Sequence, residues 1–229
     1  FVRDDSSTSN DGPRHGALWS SPDGQSWEQV AEISDPDGAS STFSAVLWDN
    51  DRLVVLGERG PTQPSEGTPG LTGPAWESVT WTAGTDLILD DGTASELVGH
   101  IDASEATPFG LMASTYWTTP ASKNNSAAWV SRDGVTWSRL PFVEDGWEYS
   151  DVAASGEAVL VVGFSHGSST TSAIWRTTDG TTWENVATPD MPTGVRLLHV
   201  ETSSKGLVVA GDNNRTVSII AGKPSEPPD

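Results

Sequence analysis

The stretch Trp129-Val130-Ser131-Arg132-Asp133-Gly134-Val135-Thr136-Trp137 decides how this chain is built. Its pattern, Trp-x-[Ser/Thr]-x-Asp-Gly-x-[Ser/Thr]-Trp, recurs at residues 19–27 and 175–183. Each copy reads as a hairpin. A short apolar strand ends in the first Trp, Asp-Gly reverses the chain, and the second Trp opens the return strand. Gly takes the positive φ that tight turns need, and the Asp carboxylate bonds the turn's own amides. Asp23, Asp133 and Asp179 therefore have structural work, and Gly134 and Gly180 are expected at positive φ. Trp19, Trp27, Trp129, Trp137, Trp175 and Trp183 are expected in the core.

These copies resemble the Asp-box, or BNR-repeat, β-propellers, whose best-known members are sialidases. The family's usual pattern is Ser-x-Asp-x-Gly-x-Thr-Trp, and Ser21-Pro22-Asp23-Gly24-Gln25-Ser26-Trp27 is one residue shorter between Asp and Gly. The resemblance runs over most of the chain through its repeats and implies an all-β propeller. It does not imply sialidase activity, because Asp boxes are scaffold elements shared by enzymes and non-enzymes.

The 229 residues suit one domain, and 11 Trp supply a core despite only 35% hydrophobic residues. Acids outnumber bases 32 to 12, giving a net charge of −20. Such a surface repels nucleic acid and anionic membranes and attracts cations or basic partners. There is no cysteine, so disulfide and thiol chemistry are excluded. No apolar run reaches the length of a transmembrane helix. The chain opens at Phe1 rather than Met, which points to processing or to further chain upstream. Its richness in Ser, Thr, Gly and Trp predicts a secreted or extracytoplasmic bacterial protein.

A two-strand unit also recurs. Residues 43–48 with 53–57, 149–154 with 159–163, and 197–202 with 207–211 align on the Gly that ends the second strand. Residues 97–103 with 109–113 form a looser copy. Trp129 and Trp175 stand 46 residues apart, a spacing suited to four-stranded blades. The blade after the first hairpin lacks an Asp-Gly turn. There Ala83-Gly84-Thr85 is expected to turn and Asp86-Leu87-Ile88-Leu89 to return. The count is one partial blade, three full ones and a last blade lacking its fourth strand. This predicts one propeller over residues 1–222, with five blades (four or six as alternatives), and a Pro-rich tail over 223–229.

Two sets of residues carry chemistry. In the repeat alignment His100, Asp151 and His199 share one position with Ala45, and Asp102 and Glu201 follow two residues on, facing the same way. These five are expected to converge on a central channel as a hydrated polar site, with a metal as the minority outcome. The loop face offers Trp147 and Trp117 as stacking platforms and Glu144 and Asp145 as acids, a mix suited to glycans or calcium.

The sialidase resemblance would imply an Arg-Ile-Pro motif, three arginines for a substrate carboxylate and a Tyr-Glu pair. No Arg precedes Ile-Pro, and only Tyr116 and Tyr149 are present. Glu148 neighbours Tyr149, which on a strand sets the two on opposite faces. Arg196 is the one Arg opening a first strand. The expected function is a non-catalytic exported module that binds a protein or glycan partner, with no cofactor. The alternatives are a glycoside hydrolase with a funnel site and a fragment of a larger multi-bladed enzyme.

Overall fold

A computed structural model describes residues 16–33, 40–49, 51–60, 77–83, 93–94, 100–119, 122–165, 170–186, 193–203, 206–213 and 217–222. The described elements are all strands. They form five antiparallel sheets in chain order. The first sheet pairs β1 (Gly16–Ser20) with β2 (Glu28–Ile33). The second runs β3 (Ser40–Asp49), β4 (Arg52–Gly60), β5 (Glu77–Ala83), β6 (Thr93–Ala94). The third runs β7 (His100–Thr107), β8 (Gly110–Thr119), β9 (Ser122–Ser131), β10 (Ser138–Arg139). The fourth comprises β11 (Trp147–Ser155), β12 (Ala158–Ser165), β13 (Ser172–Thr177) and β14 (Glu184–Asn185). The last holds β15 (Arg196–Ser203), β16 (Gly206–Asp212) and β17 (Val217–Gly222). The partial, full and three-stranded sheets fall in the order the repeats predict. One strand differs: β5 is met by Thr93 and Ala94, opposite Thr80 and Val79, rather than by residues 86–89, which lie outside the described residues.

The chain divides into two compact units, residues 1–100 with 134–136, and residues 101–133 with 137–229. In the first, Leu18, Phe43, Leu53, Val55, Val79, Trp81 and Ala83 make one core, with the rings of Phe43 and Trp81 meeting edge-on at 5.3 Å. In the second, one core gathers Met112, Leu140, Tyr149, Val161 and Trp175, and another Val162, Ile174, Leu197 and Val209. The apolar runs Leu53-Val54-Val55-Leu56 and Val159–Val162 are buried along their length, so both faces of these second strands are covered.

The glycines that anchor the repeat have a common cause. The first strands β3, β11 and β15 each carry a register shift, between Phe43 and Ala45, Tyr149 and Asp151, and Leu197 and His199. Opposite the residue before each shift stands Gly57, Gly163 or Gly211. A Cβ there would overlap the carbonyl oxygen of Thr42, Glu148 or Arg196 respectively. The bulge brings backbone onto backbone, and only Gly leaves room.

The Asp-Gly turns match their reading. Gly24, Gly134 and Gly180 have φ of 71°, 71° and 73°. Asp23 Oδ1 accepts the amides of Gln25 and Ser26, both at 2.8 Å, and Asp179 Oδ1 those of Thr181 and Thr182 at 2.7 and 2.6 Å. The hydroxyl two residues earlier completes each net. Ser21, Ser131 and Thr177 donate to the Asp, and the Ser21 and Thr177 hydroxyls accept the amides of Gly24 and Gly180. These amide bonds hold the Asp23 and Asp179 carboxyls below their ordinary range.

The tryptophans divide. Trp129 and Trp175 are each 8% exposed, Trp137 is 1% exposed, and Trp183 is half-buried. Trp19 and Trp27, expected in the core, are 36% and 50% exposed. A short local pattern sets the hairpin, but a side chain is buried only when a non-local neighbour covers it.

Candidate functional site

The acidic cluster stands on the first strands of the second unit. Two residues of sequence separate each of these first strands from its second: 50–51, 108–109, 156–157 and 204–205. Counted back from the end of each first strand, Glu105 of β7 falls level with Glu201 of β15, and Ala103 falls level with Asp151 and His199. The alignment that put His100 at the Asp151 position is thus corrected by three residues. It was anchored on the Gly that ends the second strand. β8 carries Thr115 at that step, so the anchor is missing there. The strand end would have been the better ruler, and it finds Glu105.

Asp151 is mostly buried. Its Oδ1 accepts the Val152 amide at 2.9 Å and its Oδ2 the Val200 amide at 3.0 Å. His199, exposed, holds Nδ1 3.6 Å from the same Oδ2. Burial pushes the Asp151 carboxyl up, against the two amides and His199, which pull it down. Glu105, half-buried, is also pushed up, first by burial and then by the negative charges of Glu201 and Asp151. Glu201 is exposed and accepts the Thr202 amide at 3.3 Å. The structure therefore joins Asp151, His199 and Glu201 and adds Glu105.

His100 has other company. Its Nδ1 lies 2.5 Å from Oε1 of Glu58, a buried acid of β4 in the first unit. Asp102 is exposed on β7 and has partners of its own. Among the described residues no group of three or more His, Asp or Glu side chains is placed to hold a metal ion.

The loop-face candidates divide. Trp147 is half-buried with its ring edge-on to Trp175 at 4.9 Å. Glu144 and Asp145 are exposed, and the Glu144 amide donates to the Tyr149 hydroxyl at 2.9 Å. Trp117 lies in β8 opposite Asn125, and its side chain falls outside the described residues.

Two of the groups named for sialidase roles, Tyr149 and Arg196, are engaged elsewhere. Tyr149 is fully buried, donates to the Phe142 carbonyl at 3.3 Å, and its phenol is pushed up to about 12, chiefly by burial. Arg196 binds Asp212 through Nε at 3.0 Å and Nη2 at 2.6 Å, and lies over the Phe164 ring at 5.7 Å.

No family model matches this sequence, and no curated protein matches it. Solved structures do. A protein of unknown function from Dyadobacter fermentans matches with a TM-score of 0.55 at 16% identity, over 93% of this chain and 70% of its own. An alpha-L-arabinanase from Penicillium chrysogenum, complexed with arabinobiose, matches with a TM-score of 0.50 at 14% identity, over 92% and 68%. At such identities the likeness is one of fold. The chain is an all-β protein of the β-propeller class, its four-stranded sheets standing as blades.

Proposed function

We propose that this chain is a carbohydrate-processing propeller, a glycoside hydrolase in which Glu105 is the proton donor and Glu201 the second carboxyl group. The observation that carries this reading is the environment of Glu105. A general acid must keep its proton near working pH, and half-burial beside two further acids raises its affinity for one. Glycosidases pair such an acid with a second carboxyl across the scissile bond. Exposed Glu201, on the first strand of the last sheet, is the candidate because its charge bears on Glu105. Asp151 has both oxygens engaged by main-chain amides and acts as a positioning residue whose charge bears on Glu105. The fold likeness to an arabinanase makes arabinan oligosaccharides the first substrates to try.

The test is release of reducing ends from arabinan and xylan by the intact chain, compared with Glu105→Gln and Glu201→Gln. Each variant should lose about 10²-fold or more in kcat, the usual share of an acid–base group. Absence of turnover on a broad glycoside panel would overturn the proposal.

A second reading, an exported non-catalytic module for a glycan or protein partner, is favoured by the use of Asp151 as a main-chain tie. Saturable binding of the same oligosaccharides with no turnover would establish it.

A further inference from the structure

We infer that Asp145-Gly146 is a self-modifying site, at which the chain isomerises to a β-linked isoaspartate without an enzyme. Asp-Gly occurs seven times in the sequence. The pairs at 11–12, 37–38 and 91–92 lie outside the described residues. In the other four the dipeptide is the same and only its surroundings differ. The reaction needs two groups free to meet. The Gly nitrogen attacks the side-chain carboxyl carbon of the Asp, an N–C bond forms, and the carboxyl hydroxyl leaves as water with the amide proton. Water then reopens the five-membered ring at the main-chain carbonyl, so the chain now runs through the Asp side chain. One water leaves and one enters, and no co-reactant is consumed.

The fold holds three of the four out of this reaction. The Asp23 carboxylate accepts the Gln25 and Ser26 amides, and the Gly24 amide donates to the Ser21 hydroxyl at 2.8 Å. Asp179 is held in the same way by Thr181 and Thr182, with the Gly180 amide tied to Thr177 at 2.9 Å. Ser131 donates to Asp133 at 3.0 Å, and Gly134 has partners of its own. The amide bonds also keep the Asp23 and Asp179 carboxyls ionised, and a carboxylate is a poor electrophile. Asp145 differs. It is exposed, and among the described residues nothing hydrogen-bonds its carboxylate or the Gly146 amide. Gly146 has a φ of 84°, and even an added Cβ would meet no neighbour there. The ring therefore has room to form. Its product adds one methylene to the main chain between Glu144, whose amide is held by the Tyr149 hydroxyl, and Trp147, which opens β11.

The intact chain is kept warm at neutral pH for days and digested in mild acid, and isoaspartate is located by electron-transfer fragmentation. It should accumulate at Asp145 about tenfold or more faster than at Asp23, Asp133 or Asp179, which must first break their hydrogen bonds. In strong urea the four rates should converge. Ser21→Ala frees the Gly24 amide and leaves the Asp23 dipeptide intact. It should raise the Asp23 rate about fivefold, the share of one hydrogen bond. Equal rates at the four sites of the folded chain would overturn the inference, as would faster conversion at any of the three turns than at Asp145. A difference that persists in urea would assign the ranking to local sequence and overturn it too. So would an Asp23 rate unmoved by Ser21→Ala in a variant whose circular dichroism matches the parent.

Discussion

Oδ2 of Asp151 on β11 accepts the main-chain amide of Val200 on β15, so a single side chain ties two neighbouring sheets. Oδ1 meanwhile holds the Val152 amide. Asp151→Ala leaves these donors without their acceptor, which should cost about 1–3 kcal/mol. Asp151→Asn should recover only part, since a carboxamide offers one acceptor oxygen. Urea denaturation reads the difference, and an unchanged midpoint in the Ala variant would remove the tie.

Glu105 should show its strain through pH. Folding raises its proton affinity above the ordinary value of 4.5. Its contribution to stability is therefore full below that value and is lost as pH rises through the folded pKa. Glu105→Gln should raise the melting temperature relative to the parent at about pH 7 and leave it unmoved at about pH 3. A lower melting temperature at neutral pH would contradict the crowding of acids around it.

Tyr149 gives the alkaline counterpart. Its phenol is raised to about 12 in the folded chain, so its stabilisation is intact below the unfolded value of about 10. It is lost as pH climbs from there towards 12. The denaturation midpoint should fall across that window, and fall less steeply in Tyr149→Phe, which has no phenol to ionise. Equal slopes in the two proteins would assign the alkaline loss elsewhere.

Trp137 and Trp27 hold the same place in the repeat and should behave oppositely. Trp137 is enclosed, and Trp137→Ala should cost about 3–5 kcal/mol. Trp27 is half exposed, and Trp27→Ala should stay within about 0.5 kcal/mol. Equilibrium unfolding of the two variants side by side decides it.

Gly163→Ala tests the bulge. The new methyl would collide with the Glu148 carbonyl, a backbone atom with little freedom to retreat. Overpacking of this kind should cost about 1–3 kcal/mol. Gly146→Ala meets no neighbour and bears only the penalty of its φ of 84°. Gly163→Ala folding as stably as the parent would mean the bulge can relax.

What the sequence made legible follows from range. The Asp-Gly hairpins were readable because Asp23 and Asp179 satisfy amides two and three residues away. Gly57, Gly163 and Gly211 were visible as a repeat, although the bulge that demands them was not. Glu105 was passed over because Thr115 broke the glycine ruler in β8, while the two-residue spacing between first and second strand kept the register. The exposure of Trp19 and Trp27 was beyond reach. Their local pattern is shared with the covered copies, and the third copy is covered by Phe142 arriving from elsewhere in the chain.

The Asp-Gly turn has a bearing on how the protein comes into being. Between Ser21 and Ser26 the hydroxyl, the carboxylate and three amides satisfy one another without any help from the rest of the fold. Such a loop can close as soon as its six residues exist, and a hairpin around it can zip in about 1–10 μs. Synthesis adds a residue only every 50–200 ms or so. An isolated hairpin is only marginally stable, but a turn that closes on its own bonds fixes where the chain reverses before the next copy has been synthesised.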